Sequence, residues 1–217
     1  MKRILLFIFQ LLSAVLVLST CATPLTYSAK EIRGQIVEAE TGRPIEGAVV
    51  VAQWILSHVG SGHYGRRLHI HETITDKNGY YVIPAWGPKP RPPLTDLIYR
   101  DPQILIFKSG YEPEGLENSK LQSDSVRVSE WDERIVKLTR TRRSLEDQAF
   151  RLSSFYGDLE HGDSNEDWRN YPRMLLALYA EKNRLQSMGL KPGHGGSIPN
   201  IVNFSESDRR YLKRFEQ

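Results

Sequence analysis

Hydrophobic and polar positions divide the chain into three segments of different texture. Residues 4–18 form an almost unbroken apolar run, residues 31–140 contain short apolar stretches between turn residues, and residues 141–217 show helical spacing. In the middle segment the pattern predicts strands at residues 32–37, 47–56, 66–75, 80–85, 103–108 and 133–139. Many short strands between Gly- and Pro-containing turns are typical of a β-sandwich or barrel, so a mainly β fold is expected.

Two segments interrupt the strand pattern. Residues 76–79 read Asp-Lys-Asn-Gly, and we expect this turn to close a hairpin because Asn and Gly adopt positive φ at low cost. Residues 86–102 contain five prolines, which favours a loop or covering segment over a central strand.

The last segment predicts a helical extension over residues 141–217. Ser144 and Asp147 form a capping pattern at the start of one helix, and Pro172 suits the first turn of a second. The second helix would present one apolar face, made of Leu175, Leu178, Leu185 and Met188. We expect this face to pack on the sandwich, and the alternative is an arm that binds a partner protein.

The N-terminal segment has the layout of a secretory signal peptide over residues 1–20. A basic start, Met1-Lys2-Arg3, precedes the apolar run, and small and polar residues follow it. The run is about 15 residues long, whereas a helix needs about 20 to span a bilayer, so a retained transmembrane anchor is the weaker alternative. The chain is therefore expected to be exported to the cell envelope and to face the periplasm.

Cys21 directly follows this segment and is the only cysteine of the chain. Residues 18–21, Leu-Ser-Thr-Cys, resemble the bacterial lipobox, in which the cysteine carries lipid and becomes the new N-terminus. Thr20 departs from the Gly, Ala or Ser that the pattern prefers, and cleavage after Ala22 is the alternative. The resemblance implies that a lipid on Cys21 attaches the protein to a membrane, with residues 21–30 as a tether.

The charge balance argues against a nucleic-acid partner. The chain has 29 basic and 26 acidic residues, and cleavage of residues 1–20 removes Lys2 and Arg3 from the basic set. The mature chain is then almost neutral, whereas nucleic-acid binding needs a concentrated basic face. Because the chain has a single cysteine, its stability must come from packing and not from an internal disulfide.

Residues 31–111 resemble the carboxypeptidase regulatory-like domain. The matching stretches are residues 32–37 (IRGQIV), 41–45 (TGRPI), 46–51 (EGAVVV), 73–81 (TITDKNGYY) and 109–111 (SGY). The resemblance implies a seven-stranded Greek-key β-sandwich of transthyretin-like topology over residues 31–140, acting as a folding accessory or adhesive module without catalysis. Residues 57–67 and 86–102 depart from the family pattern as a longer hairpin and an insert. Because binding residues concentrate in loops on a rigid scaffold, we expect any binding function there.

One motif has the outline of a zinc carboxypeptidase site. His69 and Glu72 form an H-x-x-E pair, and His194 follows far downstream. On a strand, however, His69 and Glu72 would point to opposite faces. The chain also ends 23 residues after His194, which leaves little room for the catalytic acid that such a peptidase needs.

Other histidines leave a metal-dependent hydrolase as the alternative function. His69 and His71 share one strand face, and His58 and His63 lie in the adjoining loop. Imidazoles spaced in this way could bind zinc or copper. No cysteine or tight carboxylate cluster completes the set, so we expect no metal, no cofactor and no catalytic residue. Convergence of three imidazoles on one point would contradict this expectation.

Two patterns suggest binding partners. Tyr64, Trp54 and Trp86 could form an aromatic platform for a glycan, although core packing is the alternative. The basic run at residues 140–143 could contact anionic lipid headgroups, although a solvated linker is the alternative. The sequence thus predicts a non-catalytic binding or structural protein of the cell envelope. Its expected partners are the membrane, through lipid on Cys21, and another envelope protein or a glycan.

Overall fold

The computed structural model describes residues 24–61, 64–97, 100–160, 167–191 and 198–216. Within these residues, eleven strands form three sheets. The first sheet contains β1 (Thr26–Ala29), β6 (Trp86–Pro90) and β10 (Val126–Arg127), with β1 in the middle. The second contains β2 (Ile32–Glu38), β5 (Tyr80–Ile83) and β11 (Arg134–Leu138), with β2 in the middle. The third has the order β4 (Tyr64–Ile74), β3 (Val49–His58), β8 (Gln103–Phe107) and β9 (Glu114–Leu116), and β7 (Thr95–Leu97) also pairs with β3.

Strand β3 is buried on both faces and separates two hydrophobic cores. Val50, Ala52 and Trp54 point into the core that the third sheet shares with the other two sheets. Val49 and Val51 point to the opposite side, into a core shared with the helices. This alternation follows the two-residue period of a strand, and a strand covered on both faces has a continuous apolar sequence. The third sheet is therefore the middle of three layers.

The described part of the C-terminal segment forms three α-helices on the outer face of the third sheet. These are α1 (Leu145–Leu159), α2 (Pro172–Ser187) and α3 (Glu206–Leu212), and 3-10 turns lie at Asp167–Asn170, Ile201–Asn203 and Lys213–Phe215. Leu175, Leu178 and Leu185 are buried in the shared core. Met188 lies beyond the end of α2 and is exposed, so its assignment to the packing face is wrong. Among the described residues, no helix combines the length and the apolarity that crossing a membrane requires.

The structure confirms a mainly β fold with helices, but it contains eleven strands where the resemblance implied seven. Two of the additional strands, β6 and β7, lie in the proline-rich segment 86–102 that we expected to be a loop. Strand β6 is at the edge of its sheet. Pro88 and Pro90 are tolerated there because an edge strand needs hydrogen-bond donors on one side only.

Strand β1 corrects the predicted tether at residues 21–30. Residues 26–29 pair with β6 on one side and with β10 on the other. Tyr27 and Ala29 are buried, and the residues between and before them are more exposed, as expected for a strand with one covered face. Of the described residues of this segment, Pro24, Leu25 and Lys30 lie outside the strand.

The turn at residues 76–79 is present, but it does not close a hairpin. The side chain of Asp76 accepts hydrogen bonds from the backbone N–H groups of Asn78 and Tyr80 at 2.8 and 2.9 Å. Gly79 has a φ of 76°, in the left-handed region. Strand β4 before the turn pairs with β3, whereas β5 after it pairs with β2. The turn therefore carries the chain from the third sheet to the second.

Candidate functional site

The two segments expected to carry a binding function lie side by side at one end of β3. Ser57 pairs with both Tyr64 of β4 and Asp96 of β7. The backbone N–H of Val59 donates to the carbonyl oxygen of Leu94 at 2.9 Å. The hairpin between β3 and β4 and the proline-rich segment thus form one surface.

The start of the described chain joins the same surface. The backbone N–H of Arg91 donates to the carbonyl oxygen of Leu25 at 2.9 Å, and Arg91 Nε donates to the carbonyl oxygen of Pro24 at 2.9 Å. Leu25, Val59 and Leu94 are all exposed apolar residues. We call this surface the loop end and define it as residues 24–25, 57–61 and 91–97.

A buried polar cluster lies behind the loop end and links it to the first sheet. The hydroxyl of Tyr27 donates to Asp96, and the guanidinium of Arg127 lies over the Tyr27 ring, 4.9 Å from its centroid. Arg127 Nε lies 3.4 Å from a carboxylate oxygen of Asp101, and both side chains are almost completely buried. Breaking one partner of a buried ion pair is costly, so these contacts hold Asp96 and Asp101 in place.

Burial also affects the protonation of this cluster. It raises the pKa of Asp101 to about 7, although the positive charge of Arg127 acts in the opposite direction. The side chain of Asn118 donates to the backbone carbonyl of Asp101 at 2.8 Å and so fixes the same residue from another side. Asp101 is therefore held from two sides behind the loop end.

His69, a residue of the alternative hydrolase, lies in an aromatic and basic environment. Its ring centroid is 5.6 Å from that of Trp54 and 5.0 Å from that of Trp86. Its Nδ1 lies 2.9 Å from Lys89 Nζ, so a neutral imidazole accepts a hydrogen bond from the ammonium group. Burial and the charges of Lys89 and His71 lower the pKa of His69 to about 4. A cation at this position opposes the binding of a metal ion.

The described histidines do not come together in a metal site. His71 is half-buried with a pKa lowered by burial, and His58 is exposed on the last residue of β3. Within the described residues, no group of three or more His, Cys, Asp or Glu side chains could hold a metal ion. His63 and His194 lie outside the described residues.

Glu72 is on the other face of β4 from His69, where it meets the first turn of α2. Its carboxylate accepts hydrogen bonds from the backbone N–H groups of Arg173 at 3.1 Å and Met174 at 2.7 Å. Burial raises the pKa of Glu72 to about 7, and the two amide hydrogen bonds and Arg173 offset only part of this rise. Glu72 thus caps a helix and is not paired with His69 as a metal ligand.

The end of α1 is held in a corresponding way. Gln53 of β3 donates to the carbonyl oxygen of Asp158 at 2.8 Å, and Arg67 of β4 donates to that of Leu159. Arg67 Nε also donates to the side-chain oxygen of Gln53 at 2.9 Å. A positive side chain is favourable at a helix C-terminus and a negative one at an N-terminus, so Arg67 and Glu72 match the helix ends that they contact.

Sequence reasoning missed this role of Gln53, Arg67 and Glu72. The signal was the lack of local caps: α1 has no basic residue in its last turn, and Tyr171 before α2 makes no side-chain cap hydrogen bond. Helix ends without local partners predict partners elsewhere in the fold.

The side chains of the two suggested partner patterns have partners within the protein. Trp54 and Trp86 are buried in the core, so the predicted aromatic platform is wrong for them, and the side chain of Tyr64 lies outside the described ones. In the basic run 140–143, three arginines form ion pairs with carboxylates: Arg140 with Glu38, Arg142 with Glu40 and Arg143 with Glu112. The run therefore joins the helices to the sandwich with its charges balanced locally.

The predicted signal peptide at residues 1–20 and the predicted lipidation site Cys21 lie outside the described residues. Both stay predictions from the sequence.

Comparison with known proteins gives no family for the chain. No family model and no curated protein match it. A Streptococcal ancillary pilin is 16% identical with a TM-score of 0.28, and the match covers 52% of this chain and 30% of the pilin. The 3-chlorocatechol 1,2-dioxygenase from Rhodococcus opacus 1CP is 13% identical with a TM-score of 0.27, over 53% of this chain and 61% of the enzyme.

A third similar structure is the C-terminal domain of the shaft pilin SpaA from Lactobacillus rhamnosus GG. It is 11% identical with a TM-score of 0.24, and the match covers 54% of this chain and 100% of that domain. The chain thus spans less than two thirds of the pilin and of the dioxygenase that it matches. Scores this low decide neither the fold nor the function of this chain.

Proposed function

We propose that this protein is a non-catalytic binding or structural protein of the bacterial cell envelope, attached to a membrane by lipid on Cys21. The observation that carries the proposal is the position of the loop end. Pro24 lies three residue steps after Cys21, and its carbonyl oxygen accepts a hydrogen bond from Arg91 of the loop end. The anchor and the exposed loops would then share one end of a rigid body.

The finer fold assignment belongs to the same proposal. Residues 31–111 are a carboxypeptidase regulatory-like domain of transthyretin-like topology, extended by β1, β6 and β7. In support, the motif at residues 109–111 forms a tight turn with Gly110 at a φ of 84°. Tyr111 then packs against the sandwich core and donates to Glu38 at 3.3 Å, as that motif implies. The family is one of accessory or adhesive modules, which fits a function in binding.

The test is expression of the full chain beside its Cys21→Ala variant in a bacterium with two membranes. We expect the wild type in the membrane fraction with a lipid mass on Cys21 as the new N-terminal residue, and the variant without that mass. Mass spectrometry of the N-terminus separates the alternatives, because cleavage after Ala22 leaves Thr23 first and a retained anchor leaves residues 1–20 in place. Equal partition of wild type and variant into the soluble fraction would refute the lipid anchor.

A further inference from the structure

Three of the exposed large apolar side chains gather at the loop end. Leu25 is 82% exposed, Leu94 is 77% exposed and Val59 is 60% exposed. Backbone hydrogen bonds join the segments that carry them, from Arg91 to Leu25 and from Val59 to Leu94. Leu94 has a φ of 56°, which is uncommon for a residue with a side chain, so the fold holds a leucine outward in a turn that would suit glycine. This surface is built and held in place.

The length of free chain sets the distance between this surface and a lipid on Cys21. Pro24, whose carbonyl oxygen accepts a hydrogen bond from Arg91, lies three residue steps after Cys21. An extended chain spans at most ~3.6 Å per residue, so the anchor lies within about 11 Å of the loop end. The ten-residue tether expected from residues 21–30 would have let the body turn freely, but β1 removes most of it.

We propose that the loop end is a membrane-docking surface, with Leu25, Val59 and Leu94 entering the boundary between headgroups and acyl chains of the bilayer that holds the Cys21 lipid. The proposal rests on the lipid anchor of the proposed function. Apolar side chains that enter this boundary add to the binding that a lipid chain provides. Arg91 supplies a cation beside them, and its side chain donates to the carbonyl oxygens of Pro24 and Thr95, which leaves its charge available to phosphate groups.

A protein partner fits this surface less well than lipid does. Any occupant must lie between the loop end and a bilayer whose surface is within about 11 Å. A single helix with its side chains is already about 10–12 Å wide. A second copy of this chain, with three layers, is much thicker.

The experiment uses the full lipidated chain with one introduced cysteine. The lipid occupies the thiol of Cys21, the only native cysteine, so a new cysteine is the one reactive thiol. Val59→Cys and Leu94→Cys place a polarity-sensitive fluorophore at the loop end. The matched control is Met188→Cys, because Met188 is 56% exposed. Met188 lies one helical turn after Arg184, and Arg184 is near Gly47 and Val49 at the other end of β3. That end lies about 30 Å away, because β3 has ten residues.

Each labelled protein is reconstituted in vesicles of phosphatidylethanolamine and phosphatidylglycerol that carry a lipid-borne quencher. We expect blue-shifted emission and at least roughly twofold stronger quenching for the two loop-end probes than for the Met188 probe, because only the loop-end side chains would enter the boundary that holds the quencher. Circular dichroism checks that the three variants fold alike.

The outcomes separate docking from anchoring. If all three probes are equally quenched while the N-terminus carries lipid, the anchor stands and docking is refuted. Blue-shifted emission without lipid quenching means that protein covers the loop end, which also refutes lipid docking. An N-terminus without lipid removes the basis of both proposals.

Discussion

Glu72 offers the sharpest test of how the sheet holds the helices. Its side chain is only 4% exposed, and its carboxylate accepts the first free N–H groups of α2. We compare two substitutions, Glu72→Gln and Glu72→Ala. Glutamine keeps an oxygen that can accept these hydrogen bonds but removes the charge, whereas alanine removes both. The pair therefore separates the capping of the helix from the ionisation of a buried group.

The capping contribution follows from the difference between the two variants. Loss of an N-cap acceptor typically costs about 1–2 kcal/mol, and Met174, one of the two donors, is buried. We expect Glu72→Ala to be less stable than Glu72→Gln by this amount at every pH, since neither side chain ionises. Equal stability of the two variants would mean that the hydrogen bonds to Arg173 and Met174 contribute nothing.

The ionisation contribution follows from the pH dependence of the wild type. The pKa of Glu72 is about 7 in the folded state, against 4.5 for an ordinary glutamate. A carboxyl with a raised pKa stabilises the fold at low pH, and this stability is lost as the pH rises from about 4.5 through 7. A rise of this size corresponds to about 3 kcal/mol of unfolding free energy. Relative to the wild type, Glu72→Gln should therefore gain about 2.5 kcal/mol between pH 5 and pH 8.5, because part of the wild-type loss has already occurred at pH 5.

The assay is urea unfolding of the three proteins at several pH values, followed by tryptophan fluorescence and circular dichroism. Asp101 has a pKa that burial raises in the same direction, so the wild-type curve alone would not assign the effect. Asp101 is present in both proteins, so its contribution cancels in the difference of unfolding free energy between wild type and Glu72→Gln. A difference that does not change between pH 5 and pH 8.5 would refute the raised pKa of Glu72.

Two further predictions concern the inter-sheet turn and the helical layer. Gly79→Ala should lower the free energy of unfolding by at least about 1 kcal/mol more than Gly42→Ala, as measured by thermal unfolding. Both glycines have positive φ, but only a Cβ at Gly79 would clash, since it would lie 2.4 Å from the backbone oxygen of Ile36. Equal melting temperatures would contradict the assigned close approach. Truncation after Arg143 should lower solubility and stability, because it uncovers the buried apolar residues Val49, Val51, Leu105 and Phe107. A truncated chain as soluble and stable as the full one would instead favour the partner-binding arm.

The sequence predicted β3 well because both signals of that strand are local. Residues 49–56 are apolar except for Gln53 and rich in Val, and such a run is typical of a strand covered on both faces. The turn at 76–79 was also predictable, since the hydrogen bonds of Asp76 stay within four residues. The pairing of the strands on either side of the turn was not predictable, because a turn of this type can close a hairpin or carry the chain from one sheet to another. Only the pairing of β5 with β2 decides between them.

Strand β1 could not be predicted because its stability depends on distant partners. It has four residues, and its burial alternates over Tyr27 and Ala29 only. Its neighbours β6 and β10 lie about 60 and 100 residues further along the chain. One of them contains prolines, which argued for a loop. The same pairing fixes the start of the chain at the loop end, and so the main functional proposal depends on contacts that no local pattern shows.

The contacts that Arg67 and Glu72 make with the helix ends also could not be predicted from the sequence. Arg67 and Glu72 are five residues apart on β4, so in a regular strand they would point to opposite faces. The register shows why they do not: Trp54 pairs with His69 but Ile55 pairs with Arg67, which leaves Leu68 as an extra residue in a bulge. The bulge turns Arg67 to the helix side, where it meets the C-terminus of α1 while Glu72 meets the N-terminus of α2. One irregular residue in β4 therefore places a donor for one helix end and an acceptor for the other on one face, and these two side chains hold both helices on the sheet.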